Sequence, residues 1–285
     1  MKLLAFETAT EACSVALYLD GEIIERHEVA PRLHAEYALP WAEELLAQAG
    51  IKRSQLDVIA ISRGPGAFTG VRLAIALAQG IALALHKPVV TVSTLMAIAA
   101  AVPPPLRRQG SSKPPQAAEG EGLRDHPESF TAPTQPPPNL PLSRRVDDAA
   151  AVQGEGQKQR ILAAIDARMG EVYVGAFERR GDELIAISTE VVAAPDKVVL
   201  PDDQGGWHAV GTGFSAVDNA LQSHLGSQLA SVDASVLPHA ANVARLAVAA
   251  YARGEAMAPE RVEPAYLRNN VALTLEEQKA LRASR

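Results

Sequence analysis

The sequence predicts a duplicated α/β fold with two similar lobes, and two segments with a shared plan support this prediction. The same pattern occurs in residues 3–30 and 161–192. It predicts an apolar strand with an acid at its end, a polar turn, a second strand, a tight turn and a third strand. The tight turns contain Asp20-Gly21 and Gly181-Asp182, which are strong hairpin signals. A chance likeness between two three-stranded units is the alternative interpretation.

Strands and helices alternate after the first hairpin. The apolar patterns predict a helix over 34–50, a strand over 56–64, a helix over 67–86 and a strand over 88–93. This order implies parallel strand pairing through right-handed crossovers. In the second segment we predict a strand entering a glycine turn at 208–214 and helices over 240–255 and 274–283.

The composition divides the chain into three parts. Eleven of the 20 prolines lie between residues 103 and 141, where apolar surface is too sparse to offset the entropy of ordering. We therefore predict a first lobe over 1–102, a disordered or irregular insert over 103–159 and a second lobe over 160–285. The last predicted helix is a candidate to pack back on the first lobe.

Charge and cysteine content exclude several classes of protein. The 285-residue chain has a formal net charge of -6 and scattered Lys and Arg, which disfavours nucleic-acid binding by the chain alone. Its single cysteine excludes an internal disulfide and a Cys-x-x-Cys zinc site, and we interpret Cys13 as a strand residue rather than a nucleophile. Glu7 and Gln79 interrupt the longest apolar runs, so we expect no signal peptide, no membrane span and a cytoplasmic location.

A glycine-rich run, "GPGAFTGVR" at 64–72, precedes the predicted helix 67–86. It lacks the Gly-Lys-Ser/Thr ending of a phosphate-binding P-loop. We therefore interpret it as a tight strand-to-helix turn. Anion binding at the helix N-terminus, assisted by Arg72, is the alternative.

The two helices of the first lobe are candidates for a partner interface. Helix 67–86 is apolar nearly all round, so either a further layer of the same chain or another subunit covers its back. In helix 34–50, Leu39 falls on the predicted core face, while two aromatic residues fall among charges on another side. The predicted partner contacts are Tyr37, Trp41, Arg72, Ala74, Ile75, Ala78 and Ala82. Partial burial of Trp41 within the monomer is the alternative.

Acids and glycines at strand ends are weak candidates for a nucleotide or anion site in a cleft between the lobes. These residues are Glu7, Thr8, Asp166, Gly211 and Gly213. The sequence has no His-Glu-x-x-His motif, and His34 is followed four residues later by Ala38 rather than by a second histidine. We therefore assign no catalytic residue and no metal ligand.

Five segments together resemble the bacterial TsaB (YeaZ) family of tRNA threonylcarbamoyladenosine biosynthesis proteins. They are "FETATEACSVAL", "HAEYALP", "ISRGPGAFTGVRLAIALAQGIA", "IDARMGEVY" and "PAYLRN". The resemblance runs through residues 1–100 and 160–269 and leaves out the proline-rich insert. It implies a duplicated actin-like, Hsp70-like (ASKHA) fold, with two similar lobes of mixed sheets flanked by helices.

The resemblance also implies a function. TsaB-like proteins are non-catalytic subunits that form a heterodimer with the paralogue TsaD and join the ATPase TsaE. The complex transfers threonylcarbamoyl to the adenosine beside the anticodon in tRNAs that read codons beginning with adenine. In this family ATP and metal belong to partner subunits, and tRNA is engaged only through the complex. The isolated protein can self-associate through helices 34–50 and 67–86. Glu7 stands where Asp is more usual, which weakens a nucleotide–metal role.

Two enzymatic readings remain open from the residues. The strand-end acids and glycine turns would suit an actin-like phosphotransferase or ATPase. A glycoprotease-like peptidase is the other possibility, although the sequence has no assembled nucleophile, base or metal set.

Overall fold

The computed structural model describes residues 1–104 and 158–268. The proline-rich residues 105–157 and the predicted helix 274–283 lie outside the described residues. The bounds below refer to the described part of the chain.

Each lobe is built on one sheet. The elements of the first lobe are β1 (Lys2–Glu7), β2 (Ala12–Leu19), β3 (Glu22–Val29), α1 (His34–Gln48), β4 (Val58–Ser62), α2 (Phe68–Leu85), β5 (Val89–Val92) and α3 (Thr94–Ala99). The elements of the second lobe are β6 (Gln159–Arg168), β7 (Glu171–Arg180), β8 (Glu183–Ala186), β9 (Val191–Ala193), β10 (Trp207–Val210), α4 (Ala220–Leu225), β11 (Leu229–Asp233) and α5 (Ala240–Ala252).

The two sheets have the same topology, which confirms the predicted duplication. The strand order is β3-β2-β1-β4-β5 in the first sheet and β8-β7-β6-β10-β11 in the second, where β9 also pairs with β7. In both sheets the first three strands pair antiparallel and the last two add in parallel. A chance likeness between the two hairpins does not account for ten strands paired in corresponding order.

The predicted hairpin turns lie where the sequence places them. Asp20 and Gly21 have φ angles of 47° and 112°, and they join Leu19 to its cross-strand partner Glu22. Both residues are therefore in the backbone region that Gly, Asn and Asp tolerate best. In the second lobe Gly181-Asp182 lies between the paired residues Arg180 and Glu183.

The first lobe has three layers because β1 alternates between two buried faces. Leu4 and Phe6 pack beneath α1 and α2, whereas Leu3 and Ala5 pack against α5. Helices thus cover both faces of this sheet, and its central strands contain few polar residues.

The lobes exchange one helix each. Helix α5 follows the second sheet in the chain but packs on the first sheet, with Ala244 and Ala247 in the same cluster as Ala5. Helix α3 follows the first sheet but packs on the second, with Leu95 and Ile98 beside Phe177. The predicted boundaries at residues 102 and 160 therefore describe the order along the chain, but the helices pack across them.

Candidate functional site

A cleft of about 980 Å³ lies between the lobes. The first lobe contributes residues 9–11, 31–32, 34–35 and 66–73 to its lining, and the second lobe contributes 165–168, Tyr173 and the turn around Thr212. Residues 264–268 complete the lining. Of the five predicted anion candidates, only Asp166 lies in this lining.

Glu7 does not line the cleft, which corrects its proposed place in an anion site. Its side chain is fully buried, and Oε1 accepts a hydrogen bond from the Ala9 amide at 2.7 Å, while Oε2 has no partner among the described atoms. Burial raises the pKa of Glu7 to about 7, because the buried site disfavours the charged form more than the Ala9 amide favours it.

Thr8 is also directed away from the cleft. Its buried hydroxyl donates a hydrogen bond of 2.7 Å to the Gly70 carbonyl oxygen and so joins the end of β1 to the first turn of α2. This contact gives Thr8 a structural role in place of the predicted anion contact.

Asp166 does line the cleft, as predicted. Its carboxylate pairs with the guanidinium of Arg168, with Nη1 and Oδ2 2.8 Å apart, and its backbone amide donates to the Thr212 hydroxyl at 3.3 Å. The carboxylate that faces the cleft is therefore already engaged by a cation from the same strand.

Gly211 and Gly213 contribute packing space rather than anion contacts. A Cβ atom on Gly211 would overlap the Ala164 carbonyl oxygen, and one on Gly213 would lie 2.7 Å from the Ala164 Cβ. Neither residue lines the cleft. The sequence predicted an anion site at these glycines, whereas the neighbouring β6 backbone explains why neither position has room for a side chain.

The glycine-rich run forms the tight turn that its sequence favours. Cβ atoms on Gly66 and Gly70 would overlap the carbonyl oxygens of Ala9 and Thr8. The Ala67 amide donates to the Ala9 carbonyl at 2.7 Å, so a donor at the helix start is already used within the chain. The run lets α2 lie directly against the turn after β1.

The burial of four residues of α2 contradicts their predicted role as partner contacts. Ala74, Ala78 and Ala82 are fully buried and Ile75 nearly so, all within the core beneath the helix. These small residues allow α2 to approach its own sheet and cannot contact another subunit. An all-round apolar helix has no hydrophobic periodicity to orient it, which is why the sequence placed the interface on the wrong side.

The outward side of α2 carries a different set of small and apolar residues. We call this set the α2 stripe: Thr69, Ala76, Gly80, Leu83 and Ala84. Leu83 is 51% exposed, and a Cβ on Gly80 would meet nothing within 4 Å. Arg72 is also exposed and lies beside the stripe. The α2 stripe offers a surface with little side-chain bulk, which another helix can approach closely.

The two aromatic residues of α1 lie on the side of the helix that faces β3. Tyr37 and Trp41 stack with ring centroids 4.8 Å apart and are half-buried. They lie on the same side of α1 as Glu44, which pairs with Arg26 of β3, whereas α2 packs over β4. Leu39 is 45% exposed, which corrects its predicted core position.

The length and hydropathy of α2 alone match those of a membrane-spanning helix. Its buried side, however, packs in the core of the first lobe. Among the described residues no group of three or more His, Cys, Asp or Glu side chains is placed to hold a metal ion.

Comparison with known proteins shows the family. The family model of TsaD, tRNA N6-adenosine threonylcarbamoyltransferase, matches residues 23–117. The tRNA threonylcarbamoyladenosine biosynthesis protein TsaB of Escherichia coli is 35% identical over 95% of this chain and 96% of its own length. TsaB of Haemophilus influenzae is 32% identical, with 95% of each chain covered.

A solved structure gives the same result. YeaZ from Pseudomonas aeruginosa is 37% identical and superposes with a TM-score of 0.70, covering 93% of this chain and 99% of its own. The duplicated sheets and the near full-length similarity together confirm the expectation from the sequence motifs. The chain belongs to the TsaB (YeaZ) family of tRNA threonylcarbamoyladenosine biosynthesis proteins.

Proposed function

We propose that this chain is a non-catalytic scaffold subunit in tRNA threonylcarbamoyladenosine synthesis, which docks the TsaD transferase through the α2 stripe. The single observation that carries this proposal is the exposed apolar side of α2. A helix of a self-sufficient domain normally exposes polar residues along its outer side, whereas the exposed polar side chains of α2 are only Thr69 and Arg72, both in its first two turns.

The TsaD family model supports the choice of partner. It matches residues 23–117, a range that contains both α1 and α2. A TsaD chain therefore has sequence related to these helices and can present a related surface. Two related helix surfaces suit a pseudo-symmetric pairing, in which small residues such as Gly80 allow the helices close approach. Without TsaD, two copies of this chain would pair through the same α2 stripe and form a homodimer.

The cleft supports a role without its own cofactor. Asp166 is paired with Arg168, and Glu7 is buried away from the cleft. We propose that ATP and metal belong to TsaD and TsaE, that tRNA is engaged only through the complex, and that the complex works in the cytoplasm. The net charge of -6 agrees with tRNA being held mainly by other subunits.

Co-purification tests the docking. Gly80→Glu places a charge in open space on the α2 stripe, so we expect a folded protein that no longer co-purifies with TsaD, because docking would bury an unpaired carboxylate. Ser223→Glu, on the exposed side of α4, is the matched control and should leave pairing unchanged. Undiminished pairing of folded Gly80→Glu would contradict the proposal.

The position of Asp166 favours one alternative, an actin-like phosphotransferase or ATPase that works alone. In that case the isolated chain would hydrolyse ATP and Asp166→Asn would abolish the activity. A chain that neither binds nor hydrolyses ATP in calorimetry and phosphate release would exclude this alternative.

A further inference from the structure

We propose that residues Pro264–Arg268, here called the latch, hold the two lobes together across the cleft and set how far it opens. The latch lines the cleft together with residues of both lobes. It follows α5 and residues 257–262, which contact the first lobe, and its own contacts pass from the first lobe at Ala265 and Tyr266 to the second lobe at Arg268.

The first end of the latch is attached to the first lobe. The Ala265 amide donates to the Arg63 carbonyl oxygen at 2.8 Å, directly after β4. The Tyr266 hydroxyl accepts hydrogen bonds from Nε and Nη2 of Arg72 at 3.0 and 2.6 Å. The same guanidinium lies 3.3 Å from the centre of the Phe68 ring, so it is held between two aromatic side chains.

The other end of the latch is attached to the second lobe. The Arg268 guanidinium donates to the Glu171 carboxylate and, at 3.4 Å, to the Arg168 carbonyl oxygen. The Arg268 side chain is only 15% exposed, so this ion pair is shielded more than an ordinary surface pair. Arg168 and Met169 have φ angles of 62° and 57°, an unfavourable conformation for both residues that shapes the turn on which Arg268 rests.

The lobes are joined elsewhere by the exchanged helices. The Asn242 side chain of α5 donates to the Ala97 carbonyl of α3 at 3.1 Å, and each helix packs on the other lobe's sheet. Within the described residues, neither helix contributes to the cleft lining, whereas the latch does. The exchanged helices therefore act as the hinge, and the latch closes the cleft away from it.

The latch is attached by contacts that can be released without unfolding either lobe. Tyr266 is 54% exposed, and the contacts at both ends are side-chain hydrogen bonds, one backbone hydrogen bond from Ala265 and one ion pair rather than a buried core. Breaking them leaves both sheets and their clusters intact. Loss of the latch should thus change the separation of the lobes and not their folding.

Distance measurement between spin labels tests this inference. We would label Ser54→Cys in the first lobe and Ser223→Cys on α4, both exposed, in the full chain. The native Cys13 is buried and its pKa is raised to about 12, so it should not react. We expect one narrow distance distribution in the parent protein and a broader, longer one in Arg268→Ala.

Matched variants separate the latch from general effects. Arg261→Ala removes an exposed arginine just before the latch and should leave the distribution unchanged. Exchanging the charges in Glu171→Arg/Arg268→Glu should restore part of the narrow distribution. Identical distributions in the parent and Arg268→Ala would overturn the inference. If Arg268→Ala does not fold, the same distance measurement is made on Tyr266→Phe. An unchanged distribution in that variant would also overturn the inference.

Discussion

The two lobes share a sheet but differ in what covers its outer face. The first sheet is covered by α1 and α2, which have 15 and 18 residues. In the second lobe, β9 and a short 3-10 turn stand in the place of α1. The six-residue α4, with short turns on both sides, stands in the place of α2. Duplication has thus preserved the strand pairing while the crossovers diverged, and the long exposed helix that suits docking belongs to the first lobe.

A second difference lies at the ends of the equivalent strands β1 and β6. Glu7 is buried with one carboxylate oxygen unpartnered, whereas Asp166 reaches the cleft and pairs with Arg168. A carboxyl group near the end of the first strand of each sheet is therefore held in two different environments. Burial raises the pKa of Glu7, so the stability of the fold depends on the protonation of this side chain.

The largest expected effect comes from reversing the two sides of α2. Ala78→Glu puts a charge into the core of the first lobe, and we expect a loss of more than about 3 kcal/mol in the free energy of unfolding. Ala76→Glu, two residues earlier on the α2 stripe, should change it by less than about 0.5 kcal/mol. Urea denaturation measures both, and similar losses would contradict the assigned orientation of α2.

The pH dependence of stability tests the buried environment of Glu7 at the end of β1. The folded-state pKa of Glu7, about 7, exceeds its ordinary value of 4.5, so the folded protein retains a proton that the unfolded chain has released. The free energy of unfolding should therefore fall as pH rises from 4.5 to 7, by roughly 3 kcal/mol in total.

Glu7→Gln should remove most of that decrease, because an amide does not titrate in this range. Urea denaturation at pH 4.5, 6 and 8 would show the contrast, and an equal slope in the parent protein and Glu7→Gln would disprove the assignment to Glu7.

A smaller effect compares glycines that follow equivalent strands. Gly64 after β4 and Gly211 after β10 have φ angles of 99° and 104°, so alanine at either position costs about 1 kcal/mol or more in backbone strain. Gly211→Ala also brings a methyl group onto the Ala164 carbonyl, whereas the nearest atom to a Cβ on Gly64 is 3.4 Å away. We expect Gly211→Ala to lower the melting temperature more than Gly64→Ala. Equal shifts would mean that the β6 backbone yields.

Short-range patterns allowed much of the fold to be predicted. The hairpins at Asp20-Gly21 and Gly181-Asp182 depend on residues adjacent in the chain, and helices α1, α2 and α5 were predicted within a few residues of their ends. Helix α3 was not predicted, because six residues form no repeated pattern, although Ser93 caps it by accepting from the Met96 amide.

The candidate site was predicted less completely. Asp166 does line the cleft, but Glu7 and Thr8 turn inward. Of the residues assigned to the partner face, four are core and Arg72 lines the cleft. The contacts of Tyr266 and Arg268 join residues that are 97 to 194 positions apart in the chain. A local pattern contains no information about such a pairing.

The sequence by itself determined the strand and turn pattern, the duplication and the family, because these depend on neighbouring residues and on recurring motifs. The tertiary structure alone decided which side of α2 is buried, which lobe each exchanged helix covers, and where residues 264–268 cross the cleft. The physical reason is that an apolar side chain specifies burial but not a partner. The packing partner of that side chain is determined only in the folded protein, where the strand register fixes the surface on which each helix packs.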